Sequence, residues 1–191
     1  MTAAGGVLHK EYHEKEWSRQ GGEFQMVQLW VNLPAADKMS QPKYQAITNA
    51  MMGKVQLADG KGAVEVIAGE YDGVRGPAST FTPIHLYNLR LKRGGNVGLS
   101  FPAEYNTGLL VIEGSVRVNG EEAPTDHFVL MANDGEAFEV EAGEDAVVLV
   151  LSGEPIREPI AAHGPFVMNT REELVQAFDD FNRGRFGHLE D

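Results

Sequence analysis

The chain has 191 residues, of which 42% are hydrophobic and 23% charged, a composition typical of a globular protein with one ordinary domain or two small ones. Its 28 acidic residues against 16 basic ones give a formal net charge of −12, which disfavours direct binding to nucleic acid. The absence of cysteine excludes disulfides, zinc–thiolate sites and thiol nucleophiles.

Targeting and membrane signals are also lacking in the sequence. The N-terminus does not combine a basic region with an apolar core, so it does not predict a signal peptide. The longest apolar run, Ala146–Leu151, is far too short to span a bilayer. We therefore expect a soluble, cytoplasmic protein with no membrane partner.

The first part of the chain predicts two strands joined by a loop. Val7–Tyr12 alternates in character, and Phe24–Leu33 is a strongly apolar segment that ends at Pro34. The loop between them is predicted at Ser18–Gly22. We expect these two strands to form a sheet whose apolar face carries Val7, Leu8, Val27, Leu29 and Val31.

Seven short strands with glycine-rich turns are predicted in the middle of the chain. Asn119-Gly120 is a two-residue hairpin turn, because both residues tolerate a positive φ. Short strands at such spacing are typical of an antiparallel sandwich or barrel. The predicted strands are Val64–Ala68, Ile84–Leu91, Gly108–Ile112, Val116–Val118, His127–Met131, Ala137–Glu141 and Ala146–Leu151.

The C-terminal part predicts a turn followed by a helix. His163 lies in the turn, where we expect it to anchor the tail through a hydrogen bond. Thr170 and Glu173 have the spacing of a capping box, and the helix is predicted to end near Gly184. Its apolar stripe consists of Leu174, Val175, Ala177, Phe178 and Phe181.

His9 and Glu11 have the spacing of two metal ligands on one strand. In an extended strand, side chains two residues apart lie on one face about 7 Å apart, so an imidazole and a carboxylate can converge on one ion. The alternative is a surface strand of alternating charged residues. A His-x-His pair that would complete such a site is absent from the sequence. His13 would lie roughly 13 Å from His9 along a straight strand, too far to share an ion, so it is predicted to face solvent.

Segments in this order resemble the pirin family of two-lobed cupins. They are Gly6–Glu11, Gln28–Pro34, Asp37–Met39, Pro42–Gln45, Gly69-Glu70, Gly153–Pro159 and His163–Thr170. In that family the N-terminal lobe holds one iron through a His-x-His pair, a third histidine and a glutamate. The resemblance implies that His9 and Glu11 are metal ligands, that Glu11 is also catalytic, and that the cofactor is Fe(II) or another divalent transition metal. Whether this chain itself binds the metal is left open.

The resemblance also implies the fold and its division. We expect an all-β protein, a cupin or jelly-roll β-sandwich of the bicupin type with a truncated first lobe and a short C-terminal helix. Residues 1–58 would be the remnant of the N-terminal lobe with a linker, 59–160 the C-terminal lobe, and 161–191 a tail and helix packing back towards the N-terminal lobe. The usual ligand positions of the second lobe carry Ser100, Pro102 and Asn106, so no metal is expected there.

Two functions are compatible with the resemblance. The first is an oxidoreductase, an iron-dependent quercetin (flavonol) 2,3-dioxygenase that inserts O2 and releases carbon monoxide. The second is a non-catalytic, iron-sensitive regulator or transcription cofactor that binds a protein partner. An incomplete lobe would also leave apolar surface uncovered, which favours a homo-oligomer.

Overall fold

The computed structural model describes residues 1–58 and 60–189. The chain forms two compact units, one made of Met1–Tyr44 with Ile156–Asp191 and the other of Gln45–Pro155. The domain boundaries predicted after residues 58 and 160 stay predictions. Asp59, at the first boundary, and the last two residues of the predicted tail, Glu190 and Asp191, lie outside the described residues.

The second unit is a β-sandwich. A sheet of six strands in the order β1-β2-β5-β12-β7-β10 and a sheet of four in the order β6-β11-β8-β9 make up most of it, and a two-stranded ribbon, β3-β4, is added. Neighbouring strands in all three sheets are antiparallel. The strands are β1 (Gly53–Gln56), β2 (Gly62–Ala68), β3 (Glu70–Tyr71), β4 (Val74–Arg75), β5 (Ile84–Leu91), β6 (Asn96–Ser100), β7 (Asn106–Glu113), β8 (Ser115–Val118), β9 (Glu121–Pro124), β10 (Phe128–Leu130), β11 (Ala137–Ala142) and β12 (Ala146–Gly153).

One hydrophobic core lies between the two large sheets. In β11 every second residue is buried, so that Phe138 and Val140 face inward while Glu139 and Glu141 face solvent. The same alternation in β5 buries Tyr87 and Leu89, and all four belong to one buried cluster to which both sheets contribute. The fold is thus the predicted all-β cupin sandwich with a short C-terminal helix.

All seven predicted strands are confirmed. The Asn119-Gly120 turn is confirmed too, since both residues have positive φ, 51° and 85°, and they join β8 to β9. The sequence pattern did not reveal β1, β3, β4, β6 or β9. Of these, β9 is mostly polar and lacks the apolar signature of a strand, whereas β6 alternates in polarity but lies among the glycines at 94, 95 and 98, which favour a turn.

The first unit contains less regular structure than predicted. It comprises a short helix α1 (Lys15–Gln20), a hairpin of β13 (Ala161–His163) and β14 (Phe166–Met168), and a helix α2 (Arg171–Asn182). The predicted strands Val7–Tyr12 and Phe24–Leu33 are wrong, and α1 begins before the predicted loop and takes its first three residues, Ser18–Gln20. A strand needs a neighbouring strand joined to it by a ladder of backbone hydrogen bonds, and among the described residues no strand pairs with either segment.

The C-terminal predictions are partly confirmed. The capping box is present, because Thr170 Oγ1 accepts from the Glu173 amide and the Glu173 carboxylate accepts from the Thr170 amide. Within the predicted stripe Leu174 is buried, but Val175 and Phe181 are exposed. His163 is the last residue of β13 rather than part of a turn, and its ring packs against Phe178 at 5.5 Å between centroids.

A buried lysine joins distant parts of the first unit. Lys38 Nζ donates to Asn32 Oδ1 at 2.6 Å and to the Val167 carbonyl at 3.3 Å. Burial lowers the pKa of Lys38, against the opposing influence of the Glu158 and Glu173 carboxylates. These bonds fix the residues after Leu33 against β14.

Neither helix among the described residues has the length and apolar character that crossing a membrane demands.

A buried carboxylate ties together three strands of the six-stranded sheet. Glu65 on β2 is only 3% exposed, and it binds Lys54 of β1 at 3.0 Å and Arg90 of β5 at 3.1 Å. Asn49 and Asn88 also donate to it. Burial alone would raise the pKa of Glu65, but these four donors outweigh it and lower the pKa to about 2.

Replacing this carboxylate should weaken the sandwich in a pH-dependent way. The low pKa in the folded state stabilises the fold above the ordinary value of 4.5, and this stabilisation is lost as the pH falls towards about 2. Glu65→Gln should lower the free energy of unfolding at pH 7 by about 3 kcal/mol and flatten its decline between about pH 5 and 2. Urea unfolding across this pH range measures both effects. The control is Glu70→Gln, which removes the exposed pair with Arg75; equal pH slopes for the two variants would contradict the prediction.

The apolar segment 24–31 gives the predicted self-association a concrete test. Phe24, Met26, Trp30 and Val31 are each more than half exposed, Trp30 at 67%. The prediction that the chain forms homo-oligomers stays a prediction. Light scattering should give a mass that rises with concentration, and Trp30→Lys should reduce the rise. Ile160→Lys, at another exposed apolar residue, should not; a concentration-independent monomer would refute the expectation.

Candidate metal half-site

The structure brings the two predicted metal ligands together. His9 Nε2 lies 3.6 Å from Glu11 Oε1, and the two side chains are 46% and 67% exposed. Two donor atoms bound to one ion at about 2.1 Å, in neighbouring positions, lie about 3.0–3.5 Å apart. A small rotation of either side chain would therefore let both atoms reach one ion.

The backbone before His9 is held without a sheet. The Gly5 amide donates to the Ser40 carbonyl at 3.1 Å, and the Leu8 amide donates to the Phe186 carbonyl at 3.2 Å. Gly6 has a φ of 113°, and a Cβ added there would overlap the Phe186 ring. This close approach requires glycine and fixes the path of the chain just ahead of the pair.

The described residues do not complete a metal site around this pair. Among residues 1–58 and 60–189, no group of three or more His, Cys, Asp or Glu side chains is arranged to hold an ion. His13 is exposed, as predicted, but its ring packs edge-on against Trp17 and Phe24 at 4.8 and 4.7 Å. The donor pair thus fits one side of a metal, and no step of a reaction can be derived through a metal from these two residues alone.

Ser100, Pro102 and Asn106, the residues that the resemblance assigned to the usual ligand positions of the second lobe, lie at or between the adjoining ends of β6 and β7. Ser100 is the exposed last residue of β6, and Asn106 is the exposed first residue of β7. Pro102 lies in the connection between these strands. Asn106 Oδ1 accepts a hydrogen bond from Asn133 Nδ2 at 3.4 Å, which helps close this end of the sandwich.

Sequence reasoning missed a chain of polar side chains in the second lobe. The Tyr87 hydroxyl donates to the Glu70 carbonyl at 2.6 Å and lies 2.8 Å from His85 Nδ1. Because the phenol hydrogen goes to the carbonyl, Nδ1 of His85 must carry the hydrogen that joins the ring to Tyr87. Burial lowers the pKa of His85, which favours the neutral ring. The sequence feature that could have identified His85 is its position on β5, two residues from Tyr87 and on the same inward face.

A buried pair of hydroxyls continues this inward-facing row. In the sheet Ser152 lies directly opposite His85 on one side and Thr107 on the other. Thr107 Oγ1 and Ser152 Oγ are 2.8 Å apart, and the two residues are only 7% and 4% exposed. Thr107 and Ser152 are single polar residues among apolar neighbours, so no sequence motif pointed to them.

Known proteins resemble this chain over nearly its whole length. The pirin C-terminal cupin domain model matches residues 86–187. A Pseudomonas aeruginosa protein named "Putative quercetin 2,3-dioxygenase" is 44% identical over 186 residues, which cover 97% of this chain and 65% of that protein. Pirin from Homo sapiens is 33% identical over 192 residues, covering 98% of this chain and 64% of the relative.

A solved structure agrees with the fold. The crystal structure of quercetin 2,3-dioxygenase from Acinetobacter baumannii superposes with a TM-score of 0.93 at 42% identity, covering 98% of this chain and 66% of the other. The chain therefore spans about two thirds of the length of the relatives that it matches. Together with the cupin sandwich and the matched residues 86–187, these similarities establish that the chain belongs to the pirin family.

Proposed function

We propose that this chain contributes His9 and Glu11 to the metal centre of a quercetin 2,3-dioxygenase-type cupin that uses iron. The carrying observation is the 3.6 Å separation of His9 Nε2 and Glu11 Oε1 in a member of this family. Support comes from the Pseudomonas relative, which is named "Putative quercetin 2,3-dioxygenase", and from the Acinetobacter structure, which is that of a quercetin 2,3-dioxygenase. The quercetin 2,3-dioxygenase activity of a protein with a complete metal centre is itself part of the proposal. The alternative function, a non-catalytic iron-sensitive regulator that binds a protein partner, stays a prediction.

The two side chains have separable tasks in this proposal. A bound divalent metal would supply open coordination positions for the flavonol oxygens and for O2. His9 would hold its side of the ion through Nε2. Glu11 would ligate through one carboxylate oxygen and accept the proton of the flavonol hydroxyl at the other. Since the His9 and Glu11 side chains are 46% and 67% exposed in this chain, the exclusion of water from the reaction must come from groups beyond this pair.

The metal ligands other than His9 and Glu11 are not assigned in this proposal. A centre of the family's kind needs two further imidazoles. Other parts of a longer polypeptide, a second copy of this chain, or a shifted His13 could supply them. A full set of four ligands binds zinc with about 10–16 kcal/mol. Two donors on an exposed pair supply far less than a full set, so this chain alone should hold the ion only weakly.

Paramagnetic broadening in NMR spectra should locate this weak site directly. Substoichiometric Mn(II) or anaerobic Fe(II) should broaden the signals of His9 and Glu11 before those of the rest of the chain. His9→Ala or Glu11→Gln should abolish this selective broadening, because each removes one of only two donors. The matched control is His127→Ala, at an exposed histidine whose Nδ1 lies near the Thr125 carbonyl. Selective broadening that survives both ligand variants would refute the assignment of the site.

The catalytic part of the proposal has its own test. In any form of the protein that oxidises quercetin, Glu11→Gln should lower kcat by about 10²- to 10⁴-fold, the range for loss of a general base. His9→Ala should lower metal content and turnover together. Quercetin consumption with carbon monoxide detection measures the reaction. Unchanged turnover in a metal-loaded His9→Ala protein would show that the chemistry lies elsewhere.

A further inference from the structure

The second unit contains a cavity of about 490 Å³ at one end of the sandwich. The connection between β6 and β7, the β8–β9 hairpin and the segment from β10 to β11 surround it. Cavities of roughly 300–1,000 Å³ are the size that proteins use for small-molecule ligands. All of its lining residues belong to the lobe without His9 and Glu11, so it is independent of the half-site.

The inner wall of this cavity is aromatic and apolar with one buried hydroxyl group. Phe101, Phe138 and Met131 line it together with Thr107. The Thr107 hydroxyl is paired with that of Ser152, and both residues are more than nine-tenths buried. Two hydroxyls carry two hydrogens, and their mutual bond uses one. Among the described residues no further partner is found for the second hydrogen, so the pair can still donate to or accept from a polar ligand group.

The charge around the cavity has a single sign. The charged residues that line it are Glu121, Glu122, Asp134 and Glu136, all exposed. No described Lys, Arg or His side chain lines the cavity, and these four carboxylates form no ion pair among the described residues, although Arg117 lies opposite Glu122 in the β8–β9 pair. Clefts lined by one sign of charge focus the field and concentrate ligands of the opposite sign. Aromatic faces add a second attraction for a cation.

We propose that this cavity is a binding site for a small organic cation, an ammonium group carried on an apolar body. The apolar body packs against Phe101 and Phe138, and the ammonium group lies towards the acidic rim. The Thr107–Ser152 pair serves a second polar group of the ligand where one is present. The four carboxylates weaken the binding of an anionic ligand of the same shape.

Three ligands with a common phenylethyl group test the charge preference. They are 2-phenylethylammonium, neutral 2-phenylethanol and anionic 3-phenylpropanoate, each titrated into the 191-residue chain while methyl NMR shifts are followed. The ammonium compound should bind about tenfold or more tightly than the anion, with the alcohol in between, and added salt should narrow the difference. The shifts should concentrate at the methyls of Ala123, Val129 and Met131, which line the cavity.

Paired variants separate the rim from the general charge of the chain. Glu121→Gln combined with Glu136→Gln should weaken the ammonium compound about three- to tenfold and leave the alcohol unchanged. The control is Glu139→Gln with Glu141→Gln, which changes the net charge equally on the outward face of β11, away from the cavity lining. All four residues are exposed, so folding should be retained. Equal affinity for the three ligands, shifts away from the cavity, or equal losses in both double variants would overturn the proposal.

Discussion

Pairing of backbone hydrogen bonds between neighbouring strands is the constraint on which the rest of this structure depends. In the second unit each strand of the two large sheets has an antiparallel neighbour, and the inward side chains of both sheets build one core. In the first unit the residues with the strongest strand propensity, 24–33, have no such neighbour among the described residues. The large apolar side chains from Phe24 to Val31 consequently remain exposed, and the segment is not part of a sheet.

The candidate metal site is poorly enclosed because of this difference between the two units. His9 and Glu11 belong to the unit with little sheet, and a few backbone bonds and the contact between Gly6 and Phe186 hold the chain ahead of them. That is enough to bring an imidazole nitrogen and a carboxylate oxygen within 3.6 Å. It is not enough to surround an ion, since in the part of the chain that the structure describes no group of three or more potential ligands forms. The cavity in the other lobe, by contrast, has walls built on paired strands, which fixes its shape.

The sequence predicted correctly those features of the fold whose signal lies in neighbouring residues. The seven central strands, the Asn119-Gly120 turn and the Thr170–Glu173 cap are set by neighbouring residues, and all were predicted. The strand assigned to Phe24–Leu33 failed because strand formation requires a partner elsewhere, which propensity does not encode. His9 and Glu11 were found from their spacing and the family resemblance. His85, Thr107 and Ser152 were not, because register across three strands brings them together rather than any motif.

The central claim is that His9 and Glu11 form half of a nitrogen-rich metal site. Free imidazole can stand in for the two missing nitrogen donors, and the visible spectrum of Co(II) reports the ligands around the ion. The account predicts that low imidazole concentrations strengthen Co(II) binding to the chain, with spectral changes that saturate near two imidazoles per ion and vanish in His9→Ala. Imidazole that only strips Co(II) from the chain, or an identical response in His9→Ala, would contradict it.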